Sequence, residues 1–270
     1  MLKKKMIDFE KELVEFFKSK KSRYTEKLYN AMEYALFPGG KRIRPKIMFM
    51  SAKFLGVDEK RVLPLAISLE LIHNYSLIHD DLPCMDNDTY RRGRLTCHSV
   101  FGEAMALLAG DGLLNLAYEN MYEACITDDE LLPAANFIAF NAGADGMLGG
   151  QAMEFSFDEF DDGLITELYM KKTGALIKSA VLAPSFIAYD NEKKAALSVY
   201  ADAIGLAFQL RDDVLDEDKE EKKSYLFVNG KEKTVEMIEK LNKITEKALS
   251  RWTEGKELTE LSDKLACRNV

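Results

Sequence analysis

The sequence has few of the residues that mark secreted, zinc-binding or membrane-spanning proteins. Only four of its 270 residues are cysteine, and Cys84, Cys97, Cys125 and Cys267 show no paired spacing, which favours a reduced, cytoplasmic setting. None of the three histidines lies at zinc-site spacing from a cysteine. No apolar run approaches the ~20 residues that cross a bilayer. The lysine-rich start is not followed by the apolar stretch of a signal peptide.

Positive charge is also scarce. The 37 lysine and arginine residues are outnumbered by 45 acidic residues, and the formal net charge is −8. No basic stripe runs along the chain, which argues against nucleic acid as a partner. Hydrophobic residues make up 47% of the chain, enough for one large core or two small ones.

Strand-like alternation is missing as well, because apolar residues recur with helical period in nearly every segment. The pattern predicts one all-α domain, residues 1–270, with roughly ten helices. Predicted helices include 22–36, 45–56, 58–80, 101–122, 164–189 with a weak point at Gly174, 191–216 capped by Asn191, and 231–252 with Val235, Ile238, Leu241 and Ala248 inward. A capping box is predicted at Thr127-Asp128-Asp129-Glu130.

Residues 70–92 concentrate ionisable groups at the end of an apolar helix. The aspartates of this stretch are Asp80, Asp81, Asp86 and Asp88. Buried carboxylates need cations, and a set of carboxylates alone indicates a hard cation such as Mg²⁺ or Ca²⁺. Pro83 should bend the chain so that Asp86 returns toward Asp80. The alternative is a solvated helix end with ordinary surface acids.

A second acidic cluster ends another apolar helix. Asp212, Asp213 and Asp216 lie three and four positions apart, which predicts that they share one helix face. Like charges so placed occur on a wet surface or around a metal, and the apolar helix before them favours the metal.

Basic residues beside glycine turns complete the pattern. They are Lys41, Arg42, Arg44, Arg91, Arg92, Lys171 and Lys172. Such groups suit phosphate oxygens. A solvated basic patch is the alternative for each, and it is preferred for Lys171 and Lys172 taken alone. Together the clusters predict a ligand whose polyanionic group is held through bridging metals. The rest of that ligand is expected to be apolar.

These segments resemble the short-chain trans-prenyl diphosphate synthases, of the bacterial farnesyl diphosphate synthase type. The matching stretches are GGKRIRP at 39–45, ELIHNYSLIHDDLPCMDNDTYRRGRLTCH at 70–98, GEAMALLAGD at 102–111, GGQ at 149–151, KTG at 172–174 and FQLRDDVLD at 208–216. The resemblance implies an isoprenoid synthase fold around a central cavity, a homodimer, and two acidic motifs facing each other across the cavity mouth.

The resemblance also implies the chemistry, that of a prenyltransferase (a farnesyl diphosphate synthase or geranyltranstransferase). Isopentenyl diphosphate would condense head-to-tail with dimethylallyl or geranyl diphosphate to give farnesyl diphosphate. The allylic diphosphate ionises to a cation, the isopentenyl double bond attacks it, and a proton is lost to pyrophosphate. Mg²⁺ would enter with the diphosphate, three ions per active site, with Mn²⁺ able to substitute.

Roles for single residues follow from the same resemblance. The implied metal ligands are Asp80, Asp81, Asp86, Asp212, Asp213 and Asp216. The residues implied to line the allylic diphosphate and the reacting chain are Arg91, Lys172, Thr173 and Gln209. Lys223 would keep the role of the lysine that relatives carry in the Lys-Ser/Thr-Tyr step after the second acidic motif. The implied isopentenyl diphosphate site contains Gly40, Lys41, Arg44, His73 and Arg92. The catalytic group is Asp80, Asp86, Arg91, Lys172 and Asp212. Without the resemblance, His73 would be interpreted as a core histidine.

Tyr75 and Ser76 are the candidates that set product length. Tyr75 lies five residues before Asp80, about 7.5 Å deeper along the helix, and Ser76 beside it is small. In relatives a bulky residue at one of these positions floors the cavity, and the inserted pair Pro83-Cys84 accompanies the farnesyl type. The alternatives are a core tyrosine whose hydroxyl is bonded elsewhere, and a geranylgeranyl diphosphate synthase.

The chain departs from the family pattern after Asp216. Only residues 217–222 precede Lys223-Ser224-Tyr225, so a glycine-rich loop and its lysine are absent, and Glu154 stands where aspartate is common. Arg268 resembles a C-terminal arginine of relatives.

A class I terpene cyclase shares the fold but normally mixes Asn, Ser or Thr and Glu in its second motif. A non-catalytic partner subunit would tolerate the short loop, although two intact acidic motifs argue against it.

Overall fold

The computed structural model describes residues 7–21, 25–37, 39–217 and 223–266, with side chains through residue 264. Ser22, Pro38, residues 218–222, Cys267 and Arg268 lie outside those ranges. The all-α prediction is confirmed. Within the described ranges, twelve α-helices have eight residues or more, against the roughly ten predicted. No helix in this part of the chain is long and apolar enough to cross a membrane.

The α-helices are α1 (Phe9–Lys20), α2 (Glu26–Leu36), α3 (Ile43–Leu55), α4 (Glu59–Asp80), α5 (Cys97–Phe101), α6 (Glu103–Thr127), α7 (Leu132–Ala142), α8 (Met147–Ser156), α9 (Asp162–Tyr169), α10 (Ala175–Leu182), α11 (Ser185–Ala188), α12 (Asn191–Leu215), α13 (Tyr225–Asn229), α14 (Lys231–Leu249) and α15 (Lys256–Ala266). A π-helical turn, Met170–Gly174, joins α9 to α10. Strands β1 (Tyr90–Arg91) and β2 (Arg94–Leu95) form an antiparallel hairpin.

Contacts between residues divide the chain into two compact units, of which the first comprises Met1–Lys46 and Glu59–Asp129. Helix α4 is buried around nearly its whole circumference because apolar residues occur on all its faces. Asn120 of α6 donates hydrogen bonds to the Pro64 carbonyl oxygen (2.7 Å) and to Ser68 Oγ (2.8 Å) of α4. These bonds fix α6 against the helix that carries the first acidic cluster.

The second unit comprises Ile47–Asp58 and Glu130–Val270. Its apolar core joins α9, α12, α13 and α14 through Ile165, Leu168, Tyr169, Leu206, Leu210, Tyr225, Ile238 and Leu241. The second acidic cluster ends α12, so this core supports it. The single-domain assignment stays a prediction.

Three local predictions are wrong. Thr127 does not begin a capping box; it is the last residue of α6, and its hydroxyl donates to the Glu123 carbonyl oxygen at 3.1 Å. The cap of α12 is Asp190, whose carboxylate accepts from Lys193 N at 2.9 Å, because the helix starts at Asn191, one residue earlier than a cap at Asn191 would allow. Val235 is 37% exposed, since Ile238 and Leu241 define the buried face of α14.

Candidate active site

The first acidic cluster folds back on itself after α4. The Asp86 N–H donates to the Asp80 carbonyl oxygen at 2.9 Å, and Met85 and Asn87 N–H both donate to the Leu82 carbonyl oxygen, at 2.8 and 3.1 Å. Proline at position 83 cannot continue the helix, and the chain therefore turns tightly. The predicted return of Asp86 toward Asp80 is confirmed.

Asp81, the neighbour of Asp80, is held by an arginine. Its side chain is buried, and Arg91 Nε donates to Asp81 Oδ1 at 2.5 Å. Burial raises the pKa of Asp81, and the Arg91 guanidinium partly offsets that rise. The carboxylate of Asp81 is thus engaged in holding Arg91, which also contacts Asp88 at 3.3 Å.

The hairpin positions the paired arginines. Arg92 and Gly93 both have positive φ, 53° and 75°, which is the pattern of a two-residue type I′ turn. Gly40 packs against Arg92, since a Cβ at Gly40 would lie 2.8 Å from Arg92 Nη2. The Gly-Gly pair and the turn therefore bring the Arg92 guanidinium against the backbone of the 39–45 segment.

Arg42 supports this segment from below. It is buried with φ of 49° and donates to Glu70 Oε1 at 2.8 Å and to Glu10 Oε2 at 3.0 Å. Burial lowers the pKa of Arg42, but the two carboxylates outweigh it and the net shift is upward. Gly39 leaves room for this guanidinium, because a Cβ there would lie 1.9 Å from Arg42 Cζ.

His73 lies where arginine charges converge. Burial lowers the pKa of His73 well below its ordinary value, and the charges of Arg44, Arg92, Arg42 and Arg91 lower it further. The imidazole is therefore neutral at pH 7 and can hydrogen-bond without adding charge. Such a concentration of guanidinium groups suits a diphosphate. Lys41 is exposed and Arg44 half-buried, as ligand-facing cations would be.

A cavity of about 130 Å³ lies next to the arginine pair. Its polar lining includes Asn74, Asp81, Arg91 and Arg92, and Ile78 is among its apolar lining residues. It belongs wholly to the first unit.

In the second acidic cluster, Asp213 is separated from its neighbours. It is 6% exposed, whereas Asp212 is half-buried and Asp216 exposed. The Tyr169 hydroxyl donates to its carboxylate at 2.7 Å, and the Tyr225 N–H donates at 3.0 Å. The carboxylate of Asp213 thus closes the junction between α12 and α13, and the shared face of the three aspartates stays a prediction.

The π-helical turn presents Lys172 and Thr173. Two glycines let neighbouring helices approach it: a Cβ at Gly150 of α8 would lie 2.2 Å from Lys172 N, and a Cβ at Gly205 of α12 would lie 3.1 Å from Gly174 Cα. Thr173 Oγ1 donates to Gln209 Oε1 at 2.8 Å. π-turns are frequent at functional sites.

The lysines beside this turn have different partners. Lys172 Nζ forms an ion pair with Glu154, and Lys223 Nζ donates to the Glu154 carbonyl oxygen at 2.5 Å. Lys171 instead donates to the Asp145 carbonyl oxygen at 2.9 Å. The preference for a surface role of Lys171 agrees with that contact.

Tyr75 is 3% exposed and packs edge-on against His79, with ring centroids 5.7 Å apart. Burial raises the pKa of Tyr75, and the neighbouring Tyr118 adds to the rise. Within the described residues its hydroxyl has no hydrogen-bond partner, so the alternative of a hydroxyl bonded elsewhere finds no support. Ser76 Oγ donates to the His73 carbonyl oxygen at 2.9 Å.

The comparison with known families identifies the chain. Residues 25–248 match the family profile described as Polyprenyl synthetase. The chain belongs to the polyprenyl synthetase family. It is 44% identical over 216 residues to the farnesyl diphosphate synthase of Geobacillus stearothermophilus, which covers 75% of this chain and 72% of the relative. It is 36% identical over 264 residues to geranylgeranyl pyrophosphate synthase 4 of Arabidopsis thaliana, which covers 90% and 71%.

Solved structures agree. The apo structure of an FPP/GFPP synthase from Zymomonas mobilis matches with a TM-score of 0.88 at 35% identity, covering 96% of this chain and 95% of that chain. This polyprenyl synthetase therefore has the all-α isoprenoid synthase fold, and prenyl-chain condensation is its activity as a prenyltransferase.

Several residues that hold or contact the predicted site residues could not be identified from the sequence. They are Glu10 and Glu70 under Arg42, Tyr169 and the Tyr225 N–H at Asp213, and Tyr118 beside Tyr75. Their partners are distant in sequence, so no spacing signal marks them.

Proposed function

We propose that this prenyltransferase makes farnesyl diphosphate from isopentenyl diphosphate and the allylic dimethylallyl and geranyl diphosphates. The observation that carries the proposal is the burial of Tyr75 on α4, five residues before Asp80. A bulky aromatic ring there would block further lengthening of the product's prenyl chain. Ser76 beside it is too small to do so.

The residues present suit a hard divalent cation that binds together with a diphosphate. In the part of the chain that the structure describes, no three Asp, Glu, His or Cys side chains form a metal-holding group by themselves. The turn nonetheless brings Asp86 to Asp80, and carboxylates are the ligands that Mg²⁺ prefers. We assign Asp80 and Asp86 of the first unit, and Asp212 and Asp216 of the second, as Mg²⁺ ligands. Bound there, Mg²⁺ would offset the charge of the departing pyrophosphate.

Asp81 and Asp213 are the buried members of the predicted ligand set, 3% and 6% exposed. Arg91 holds the first, and Tyr169 and the Tyr225 N–H hold the second. We therefore assign them to orientation of Arg91 and of α13.

The basic residues divide between the two substrates. Arg91, Lys172 and Lys223 would bind the allylic diphosphate, and Thr173 with Gln209 would line the reacting chain. The group around neutral His73, namely Gly40, Lys41, Arg44 and Arg92, would bind isopentenyl diphosphate. Fixed cations lower the barrier to diphosphate departure, because they are already placed where negative charge develops. No protein nucleophile takes part, and the proton leaves to pyrophosphate.

A homodimer is the proposed assembly, on the basis of two exposed helix faces. Helix α7 contains no charged residue and exposes Leu132 (55%) and Phe140 (61%). Helix α6 exposes Leu108 (51%), Tyr122 (64%) and Ile126 (86%). A second copy of the chain offers the same exposed apolar side chains and would cover each face by two-fold pairing.

The deciding experiment is incubation with Mg²⁺, dimethylallyl diphosphate and isopentenyl diphosphate, followed by chromatography of the dephosphorylated products. The expected main product has fifteen carbons. A twenty-carbon product would replace the farnesyl assignment with a geranylgeranyl one. A cyclic hydrocarbon from farnesyl diphosphate alone would indicate a terpene cyclase, and no product would indicate a partner subunit.

A further inference from the structure

Two lysines of the second unit converge on one acidic residue. Lys172 Nζ pairs with the carboxylate of Glu154, and Lys223 Nζ donates to the carbonyl oxygen of the same residue at 2.5 Å. The Glu154 and Lys172 side chains are only 23% and 28% exposed. Water therefore screens this pair less than it would screen a pair on an open surface.

The distance from the Glu154 backbone to Lys172 is set by the close contact between α8 and the π-helical turn. Gly150, one turn before Glu154 on α8, lies against the backbone of Lys172, where a Cβ would approach to 2.2 Å of Lys172 N. The separation of the two backbones is thus fixed by contact. Whether an acid at 154 meets Lys172 then depends on side-chain length, and glutamate makes that contact.

We propose that Glu154 is a positioning residue that holds Lys172 before the allylic diphosphate binds and then competes with the diphosphate for the same ammonium group. This inference rests on the proposed assignment of Lys172 to the allylic diphosphate. The carboxylate offsets the repulsion between two ammonium groups that contact one residue. A diphosphate must displace it, so Glu154 weakens binding of the diphosphate and eases release of pyrophosphate.

Lys223 differs from Lys172 in this respect. It is bound through the main-chain oxygen of residue 154, which a side-chain substitution leaves in place. The competition therefore concerns Lys172 alone.

Titration calorimetry with inorganic pyrophosphate and MgCl₂ tests the proposal. Glu154→Gln should bind pyrophosphate about two- to five-fold tighter than the wild type, the size expected of one partly exposed ion pair. Glu154→Asp keeps the charge but shortens the side chain, and its affinity should fall between the two. Glu167→Gln is the matched control, because Glu167 pairs at 3.5 Å with Lys171, whose ammonium group donates to the Asp145 carbonyl oxygen. Its affinity should equal that of the wild type.

Double substitutions separate competition from a merely structural effect. In a Lys172→Gln background the Glu154→Gln change should no longer alter pyrophosphate affinity, whereas in a Lys223→Gln background its full effect should persist. In steady-state assays Glu154→Gln should lower the KM for geranyl diphosphate without raising kcat.

Unchanged or weaker pyrophosphate binding by Glu154→Gln would overturn the proposal. If Glu154→Gln does not fold, Glu154→Asp decides, and wild-type affinity in that variant overturns it equally. A wild type that binds no pyrophosphate and forms no prenyl product would refute the proposed function itself, and with it the role of Glu154.

Discussion

At the scale of single residues, His73 shows how neighbouring charge fixes a protonation state. Arginine charges and burial lower the pKa of His73, so the folded protein binds its proton less readily than the unfolded chain, whose histidine has a pKa of 6.5. Stability from this group is present above pH 6.5 and is lost as the pH falls toward the folded-state value.

His73→Gln should remove that dependence while keeping a neutral hydrogen-bonding side chain. Denaturant unfolding at pH 5.0 to 7.5 should show the wild type losing stability relative to the variant below about pH 6.5, by at most about 1.4 kcal/mol per pH unit. His79 and His98 are present in both proteins, so the difference isolates His73. Parallel stability curves would contradict the pKa argument.

Tyr75 offers a second test at this scale. Tyr75→Ala removes the ring that would floor the cavity and should lengthen the main product by at least one five-carbon unit. Tyr75→Phe is the matched control: it keeps the ring and deletes a buried hydroxyl that has no hydrogen-bond partner among the described residues. It should keep the fifteen-carbon product. Chromatography of the products decides, and an unchanged length in Tyr75→Ala shows that the stop lies elsewhere.

Residue types could be predicted better than residue partners. The aspartates, the glycine pair and the lysines of the KTG segment stand out by type and spacing. The salt bridge from Arg42 to Glu10 spans 32 positions, and the bond from Tyr169 to Asp213 spans 44. Such pairs depend on tertiary packing, which no local pattern encodes.

At the scale of elements, long helices were predictable because many turns repeat the same apolar period. The hairpin of β1 and β2 was not, since strands of two residues are too short to show alternation. For the π-helical turn, the sequence predicted only a weak point in the helix at Gly174. Its extra residue per turn is stabilised by the close approach of Gly150 and Gly205, which lie far from it in sequence.

Asp213 tests how α12 is joined to α13. Asp213→Ala would remove the carboxylate that accepts from the Tyr169 hydroxyl and the Tyr225 N–H, which would keep only the Tyr169 oxygen as acceptor, at 3.0 Å. Hydrogen bonds to a charged group contribute about 1.5–3 kcal/mol each. We expect a loss of about 2–4 kcal/mol in the free energy of unfolding, measured in urea.

Asp216→Ala is the control for that experiment, because Asp216 is exposed at the end of the same helix. Its stability should stay within about 0.5 kcal/mol of the wild type. Equal losses in the free energy of unfolding of the two variants would show that the hydrogen bonds to buried Asp213 do not stabilise the fold.

At the scale of the whole molecule, each compact unit carries one acidic cluster, and the proposed reaction needs both. Excess chelator should abolish product formation, and added Mg²⁺ should restore it. Asp80→Ala and Asp212→Ala should each lower kcat by orders of magnitude with unchanged circular dichroism, because neither carboxylate belongs to an apolar core. Full activity in chelator would refute the metal assignment.

Association of two chains is the remaining property of the whole molecule. Placing a charge on the uncharged, exposed face of α7 should oppose pairing, because each copy would bury an unpaired carboxylate. Sedimentation velocity should therefore show a dimer for the wild type and a dissociation constant at least about ten-fold higher for Phe140→Glu. Phe227→Glu changes an equally exposed aromatic residue on α13, 64% exposed, and should remain dimeric. A monomeric wild type, or a Phe140→Glu variant that pairs as tightly as the wild type, would show that α7 is not the contact.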